Sequence, residues 1–219
     1  MGHRLLCADP IGGLGHVTLQ KRILDVVLAL VLIVPAVPVL LILLLILMFT
    51  QGRPFFYVSE RMQTPTQGFT LFKLRTMSME MADGGVTGGN KSNSLPPLYR
   101  FLRNSRLDEI PQLWNVLRGD MSFVGPRPPM RVYVEAFPDI YAAVLRNRPG
   151  ITGLASLRFH QHEEVLLVSC ETPVQTDHVY RTRCVPRKAA LDMIYQRHQS
   201  LCFDLALICE TAIKPIRRR

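Results

Sequence analysis

Residues Val26 to Phe49 are 24 consecutive positions without a charge or a hydrogen-bonding side chain, 22 of them apolar and two proline. As one helix the run would measure roughly 36 Å, against about 30 Å of bilayer hydrocarbon, so it is long enough to span. A cleaved signal peptide fits poorly. Its apolar stretch would be about 7–15 residues followed by a small-residue site, whereas Phe49 leads into Thr50-Gln51-Gly52-Arg53. Pro35 and Pro38 complicate a simple span, because each removes a backbone donor and crowds the carbonyl four residues back. Broken backbone is costly against lipid unless something nearby re-satisfies it. The flanks set no orientation, since Lys21 and Arg22 precede the run and Arg53 and Arg61 follow it. A spanning helix fits these features, and so does a re-entrant one that bends at Pro35–Pro38.

Outside that run about 43% of the residues are hydrophobic, an ordinary value for a globular domain. A membrane segment joined to one globular unit follows, and a fully soluble or disordered chain is excluded. The net charge of +9 falls entirely outside the apolar run and favours anionic partners: lipid headgroups, nucleotides or nucleic acid. A nucleic-acid binder would interleave basic residues with exposed aromatics on one face, and no such pattern is apparent. Cys7, Cys170, Cys184, Cys202 and Cys209 form an odd set without a C-x-x-C pair, which points to reduced thiols in the cytoplasm. The spacing of Cys202 and Cys209 suggests helix packing. Lys214 to Arg219 carries four cations, suited to an anionic leaflet or to simple solvation.

The expected class is mixed α/β, mostly helical. Short strands are expected at 55–58 and 69–74 around a turn at 64–68, and a flexible loop at 83–97. Helical spacing marks 98–102, 107–117, 132–145 and 188–213. Gly125-Pro126-Arg127-Pro128-Pro129 reads as a stiff extended loop, and 154–186 as short strands and loops. The divisions expected are an extension over 1–20, the membrane helix over 21–50, a catalytic domain over 51–213 and a basic tail over 214–219.

The densest polar cluster comprises Arg103, Arg106, Asp108, Glu109, Asn115, Arg118, Asp120 and Arg127. Near a helix start, Asp108 and Glu109 could both approach one cation. A structural alternative is that Ser105-x-x-Asp108 is a capping box. Arg127 between prolines suits a bidentate phosphate contact, although a surface arginine is the usual outcome. His160-Gln161-His162 lacks a partner cluster for a metal site.

Several blocks occur in order: Lys21-Arg22-Ile23-Leu24-Asp25, the run containing Pro38, Phe72-Lys73-Leu74-Arg75-Thr76-Met77, Leu107 to Pro128, and Arg148-Pro149-Gly150-Ile151-Thr152-Gly153. Together they resemble the bacterial sugar transferase family, the monotopic phosphoglycosyl transferases. The resemblance covers about residues 20–213. It implies transfer of a sugar-1-phosphate from a UDP-sugar to polyprenyl (undecaprenyl) phosphate with release of UMP, initiating surface glycans such as exopolysaccharide, capsule or O-antigen (lipopolysaccharide). By motif position, Asp108 would be the nucleophile and Glu109 its partner, both at Mg²⁺. Arg127 with Pro126 and Pro128 would contact the nucleotide diphosphate, and Arg103 would join the substrate-binding set. Lys21 and Arg22 would lie at the lipid phosphate. The family's helix is re-entrant with its break at Pro38, and places a small catalytic domain on the cytoplasmic face of the bacterial inner membrane. Val37 departs from the family's common Ser before that proline, Arg106 from a small Ser or Thr, and Leu154 and Ser156 from Trp and Gln. These departures leave a catalytically dead scaffold as the competing reading. The single apolar run points to the small, single-unit form.

Overall fold

The computed structural model describes residues 18–76 and 96–217, with side chains through residue 213. Most of the expected N-terminal extension and of the loop at 83–97, and the side chains of the basic tail, lie outside the described residues.

Helix α1, Leu19–Thr50, begins where the Thr18 hydroxyl accepts the Lys21 N–H at 3.3 Å, and it runs through Pro35 and Pro38. Its burial is confined to its ends: Lys21, Asp25 and Ala29 at one, Leu43 and Leu47 at the other. No residue from Leu30 to Ile42 is buried. Ala29 packs with Val116, Met121, Phe123 and Leu207, while Leu43 and Leu47 pack with Leu74 and Leu102. Both ends of α1 therefore rest on the globular unit, and the apolar middle is mostly exposed, with only Ile33, Ala36 and Leu40 half-buried, a surface that suits contact with lipid.

Strands β1, Phe56–Met62, and β2, Gly68–Leu74, form an antiparallel hairpin longer at its first strand than the sequence suggested. The exit of α1 is tied to it. The Arg75 guanidinium donates to the carbonyls of Gln51 and Gly52 at 3.3 and 3.1 Å, and the Gln51 amide returns a bond to the Arg75 carbonyl at 2.7 Å. Helix α2, Pro97–Asn104, leads through a 3-10 turn at Leu107–Glu109 into α3, Gln112–Arg118. Strand β3, Ser122–Val124, pairs in parallel with β4, Gly150–Thr152.

Several sequence expectations need correction, the single helix at 107–117 among them, since a 3-10 turn and a separate helix occupy it. The single helix expected at 132–145 is two, α4 (Arg131–Ala136) and α5 (Pro138–Val144), because Pro138 opens a new first turn. The segment 154–186 is helical: α6 (Leu154–Arg158), α7 (His160–Val168), α8 (Pro173–Val179) and a π-turn at Tyr180–Cys184. The helix expected at 188–213 divides into α9 (Val185–Arg197) and α10 (Leu201–Arg217). Cys202 and Cys209 are exposed on α10 rather than packed, and with Cys170 and Cys184 they are free thiols among the described residues.

Asp192 on α9 is buried, which pushes its carboxyl up to about 7, with Lys188 opposing only in part. The unfolded carboxyl ionises near 3.8, so between about pH 4 and 7 the unfolded chain loses a proton that the folded chain keeps. Stability must fall across that window. Asp192→Asn is expected to stabilise the protein by a few kcal/mol at pH 7.5 and to make little difference below pH 4. Thermal unfolding of both proteins across pH checks this. An equal gain at pH 3.5 and 7.5 would contradict it.

Candidate active site

Asp108 and Glu109 lie in the 3-10 turn between α2 and α3, and both are buried. The turn is set by Arg106, whose backbone is left-handed (φ 57°, ψ 20°) and whose carbonyl accepts the Glu109 N–H at 3.1 Å. The capping box expected from Ser105 does not form. The Ser105 hydroxyl donates backwards to the carbonyls of Phe101 and Leu102 at 2.7 and 3.2 Å, closing the end of α2. Leu107 and Ile110, which flank the carboxylates, pack in the cluster that holds Leu43 and Leu47. The acidic pair therefore sits at the foot of the apolar helix.

Three cations surround Glu109. Lys73 Nζ and Arg127 Nη1 stand 3.8 and 3.7 Å from Oε1, and Arg106 Nη1 stands 3.5 Å from Oε2. Burial alone would raise the Glu109 carboxyl, but Lys73, Arg127 and Arg106 together outweigh it and hold it below the usual range. Asp108 moves the other way. Burial, reinforced by the Glu109 charge, raises its carboxyl despite Lys73, Arg103 and Arg127. Two neighbouring carboxyls with opposite shifts have different chemical roles open to them.

Each cation is delivered by a different part of the chain. Lys73 is on β2, which α3 fixes through Asn115. The buried Asn115 side chain donates to the Thr70 carbonyl at 2.7 Å and accepts the Phe72 N–H at 3.3 Å. Arg103 is on the last turn of α2. Arg127 is on the extended loop foreseen at 125–129, which is stapled at both ends: the Gly150 N–H donates to Pro126 O at 2.9 Å and the Met62 N–H to Pro129 O at 3.0 Å. The loop also needs glycine at its root. A Cβ on Gly125 would stand 2.2 Å from the Arg148 carbonyl oxygen. Between β1, β2 and this loop lies a narrow cleft of about 20 Å³, open to solvent and lined by Lys73, Gln112, Arg127 and Pro128 among others.

The family model for bacterial sugar transferases matches residues 16–218. The chain belongs to that family. An exopolysaccharide production protein ExoY of Sinorhizobium fredii is 31% identical over 221 residues, covering 92% of this chain and 85% of the relative. A UDP-glucose:undecaprenyl-phosphate glucose-1-phosphate transferase of Caulobacter vibrioides is 38% identical over 161 residues, covering 71% of this chain and 60% of the relative. One with the same description from Klebsiella pneumoniae is 29% identical over 210 residues, covering 94% of this chain but only 42% of the relative.

In this sugar transferase, Asp108, Glu109 and Arg127 come together, with Arg103 acting on Asp108 through its field. Lys21 and Arg22 are placed elsewhere. Lys21 is buried in an ion pair with Asp204 at 2.6 Å. Arg22 donates to the carbonyls of Val116 and Leu117 at 2.6 and 2.7 Å, satisfying the end of α3. Lys73 and Gln112 were inside recognised motifs yet carried no assignment. The period-2 alternation of β2, which sets Lys73 on the face of Leu71, was the available signal for the first of them.

Proposed function

We propose that this protein transfers a sugar-1-phosphate from a UDP-sugar to polyprenyl phosphate, releasing UMP, through a phosphosugar held covalently on Asp108. The observation that supports this best is the buried Asp108–Glu109 pair facing Lys73 and Arg127 at the foot of the apolar helix. A diphosphate repels a carboxylate nucleophile, so such chemistry requires cations at the reacting phosphorus. Lys73 and Arg127 supply them.

In the first displacement an Asp108 oxygen attacks the sugar-bearing phosphorus. The bond to the other phosphate breaks, and UMP leaves with its electron pair. In the second, an oxygen of polyprenyl phosphate attacks the same phosphorus and expels the Asp108 carboxylate, giving the lipid diphosphosugar. Splitting the transfer lets one site use two substrates in turn. Glu109, held anionic, orients Lys73 and Arg127 and can take a proton from the incoming lipid phosphate.

The residues fit a magnesium ion. Glu109 Oε2 is a buried oxygen that accepts no hydrogen bond among the described residues, with Arg106 Nη1 facing it at 3.5 Å, and one or two carboxylates completed by phosphate oxygens is a usual Mg²⁺ set. Asp108 and Glu109 would hold the ion, which when bound neutralises phosphate charge. The acceptor's tail is confined to the bilayer, which suits a site beside α1. On this reading α1 is re-entrant and the domain lies on the cytoplasmic face of the bacterial inner membrane. Cysteines placed at Gln20 and Gln51, with native cysteines replaced by serine, should then both react with an impermeant thiol reagent from the cytoplasmic side only. Labelling from opposite sides would establish a span instead.

The chemistry is tested by the nucleotide product. Membranes holding the protein, given Mg²⁺, polyprenyl phosphate and a panel of UDP-sugars that includes UDP-glucose, should release UMP only with the lipid present for turnover. Release of UDP would mean sugar transfer without its phosphate. No release with any sugar from folded protein would leave the inactive scaffold.

A further inference from the structure

We propose that Arg61 is a phosphate-binding residue of this site, completing with Lys73 and Arg127 a cationic cradle for a nucleoside diphosphate. Its sequence position gives little hint, since it follows the apolar run and reads as a flanking charge. The hairpin register changes that. Tyr57 pairs with Lys73, Ser59 with Leu71 and Arg61 with Phe69, so Tyr57, Ser59 and Arg61 share one face with Leu71 and Lys73. The Met62–Pro129 backbone bond, one residue beyond Arg61, then brings that face against the loop of Arg127. Arg61, Lys73 and Arg127 line one cleft together with Gln112.

The charges in this cleft do not balance. Arg61 has no carboxylate within ion-pair distance among the described residues, and its Nε makes only a long bond of 3.4 Å to Ser59 Oγ. Arg131, packed against the same hairpin, shows what a structural arginine looks like here: it grips Glu60 at 2.6 and 3.2 Å. Burial and then Arg127 weaken the protonated forms of both Arg61 and Lys73, so the three cations repel one another across the cleft. Glu109 is shared between Lys73 and Arg127, and the nearby Glu163 is matched to Lys188 at 3.1 Å. A cradle with surplus positive charge is stabilised by an anion that carries more than one negative charge. Arginine's planar fork suits two phosphate oxygens.

The identity of the anion rests on the proposed transfer reaction, whereas the cradle itself does not. The test uses the full chain in detergent micelles, with inorganic pyrophosphate as probe and the thermal-unfolding midpoint as readout. Pyrophosphate should raise the midpoint. Arg61→Gln should weaken the apparent affinity about tenfold or more, Arg61→Lys less, and Arg131→Gln not at all. UDP should displace pyrophosphate, and farnesyl phosphate should not. In turnover, Arg61→Gln should raise KM for the UDP-sugar more than it lowers kcat.

An unmoved wild-type midpoint, or wild-type affinity in Arg61→Gln, overturns the proposal. Displacement by farnesyl phosphate alone overturns the assignment to the nucleotide. Should Arg61→Gln fail to fold, Arg61→Lys decides, and wild-type affinity there overturns it too. Arg61-dependent binding without UMP release would keep the cradle and defeat the transfer reading. UMP release with an unchanged KM in Arg61→Gln would do the reverse.

Discussion

Asp108→Asn is expected to abolish turnover and, at the same time, to make the protein more stable. The activity loss should be about 10⁴-fold or more, the scale seen when a covalent nucleophile is removed, because a carboxamide oxygen cannot form and release the acyl phosphate. The stability gain follows from the folded-state carboxyl. Burial raises it above the ordinary value of 3.8, so the unfolded chain ionises at lower pH than the folded one. Stability is lost as pH climbs through that interval, and Asn removes the loss. The midpoint should rise by about 2–4 °C for each kcal/mol relieved, and the difference from wild type should vanish below about pH 4. A variant that loses activity by unfolding would shift the other way. Paired activity and melting measurements over pH separate the cases, and a dead variant with a lowered midpoint at pH 7.5 would contradict the assignment.

The second large effect concerns the joint between the apolar helix and the domain. Lys21 donates to Asp204 Oδ2 at 2.6 Å and to the Tyr195 hydroxyl at 3.0 Å, and the Tyr195 hydroxyl donates to Asp204 Oδ1. Both charged side chains are buried, so neither has water to fall back on. Asp25, one turn on from Lys21, accepts from the Ser122 hydroxyl and the Phe123 N–H, both at 3.0 Å. The start of α1 is thereby locked to α9, α10 and β3. Asp204→Ala strands the Lys21 ammonium and should cost about 3–5 kcal/mol, the range for breaking a buried pair. Replacing both partners by apolar residues, Lys21→Met with Asp204→Leu, should recover most of that loss. Denaturant unfolding in micelles checks both. A loss below about 1 kcal/mol in the single variant would mean that water reaches the pair.

Asp108, Glu109 and Arg127 were legible because they sit within one long, specific block. Their companions were not, because strand alternation and loop stapling gather them from distant positions. Lys73 reaches Glu109 only because Asn115 pins β2 to α3, a contact across more than forty residues. Lys21 looked like an interfacial cation until the fold supplied Asp204, 183 residues away. The segment 154–186 misled through its Val and Thr content, which favours strands only weakly. Thr172 and Gln175 nevertheless formed the reciprocal capping box that starts α8, a signal present in the sequence. The break at His198–Ser200 between α9 and α10 carries no Gly or Pro, so periodicity ran straight through it. Pro35 and Pro38 illustrate the converse, since backbone helix persists through both.

The most direct test of the central claim is intact-mass and peptide analysis of the protein after incubation with Mg²⁺ and its UDP-sugar, with the lipid phosphate withheld. A mass gain of one sugar phosphate, mapped to the peptide containing Asp108, absent in Asp108→Asn and discharged by added polyprenyl phosphate, is the expected result. Lipid-dependent product formation by the wild-type protein with no adduct at any time, or with the adduct on another residue, would contradict it.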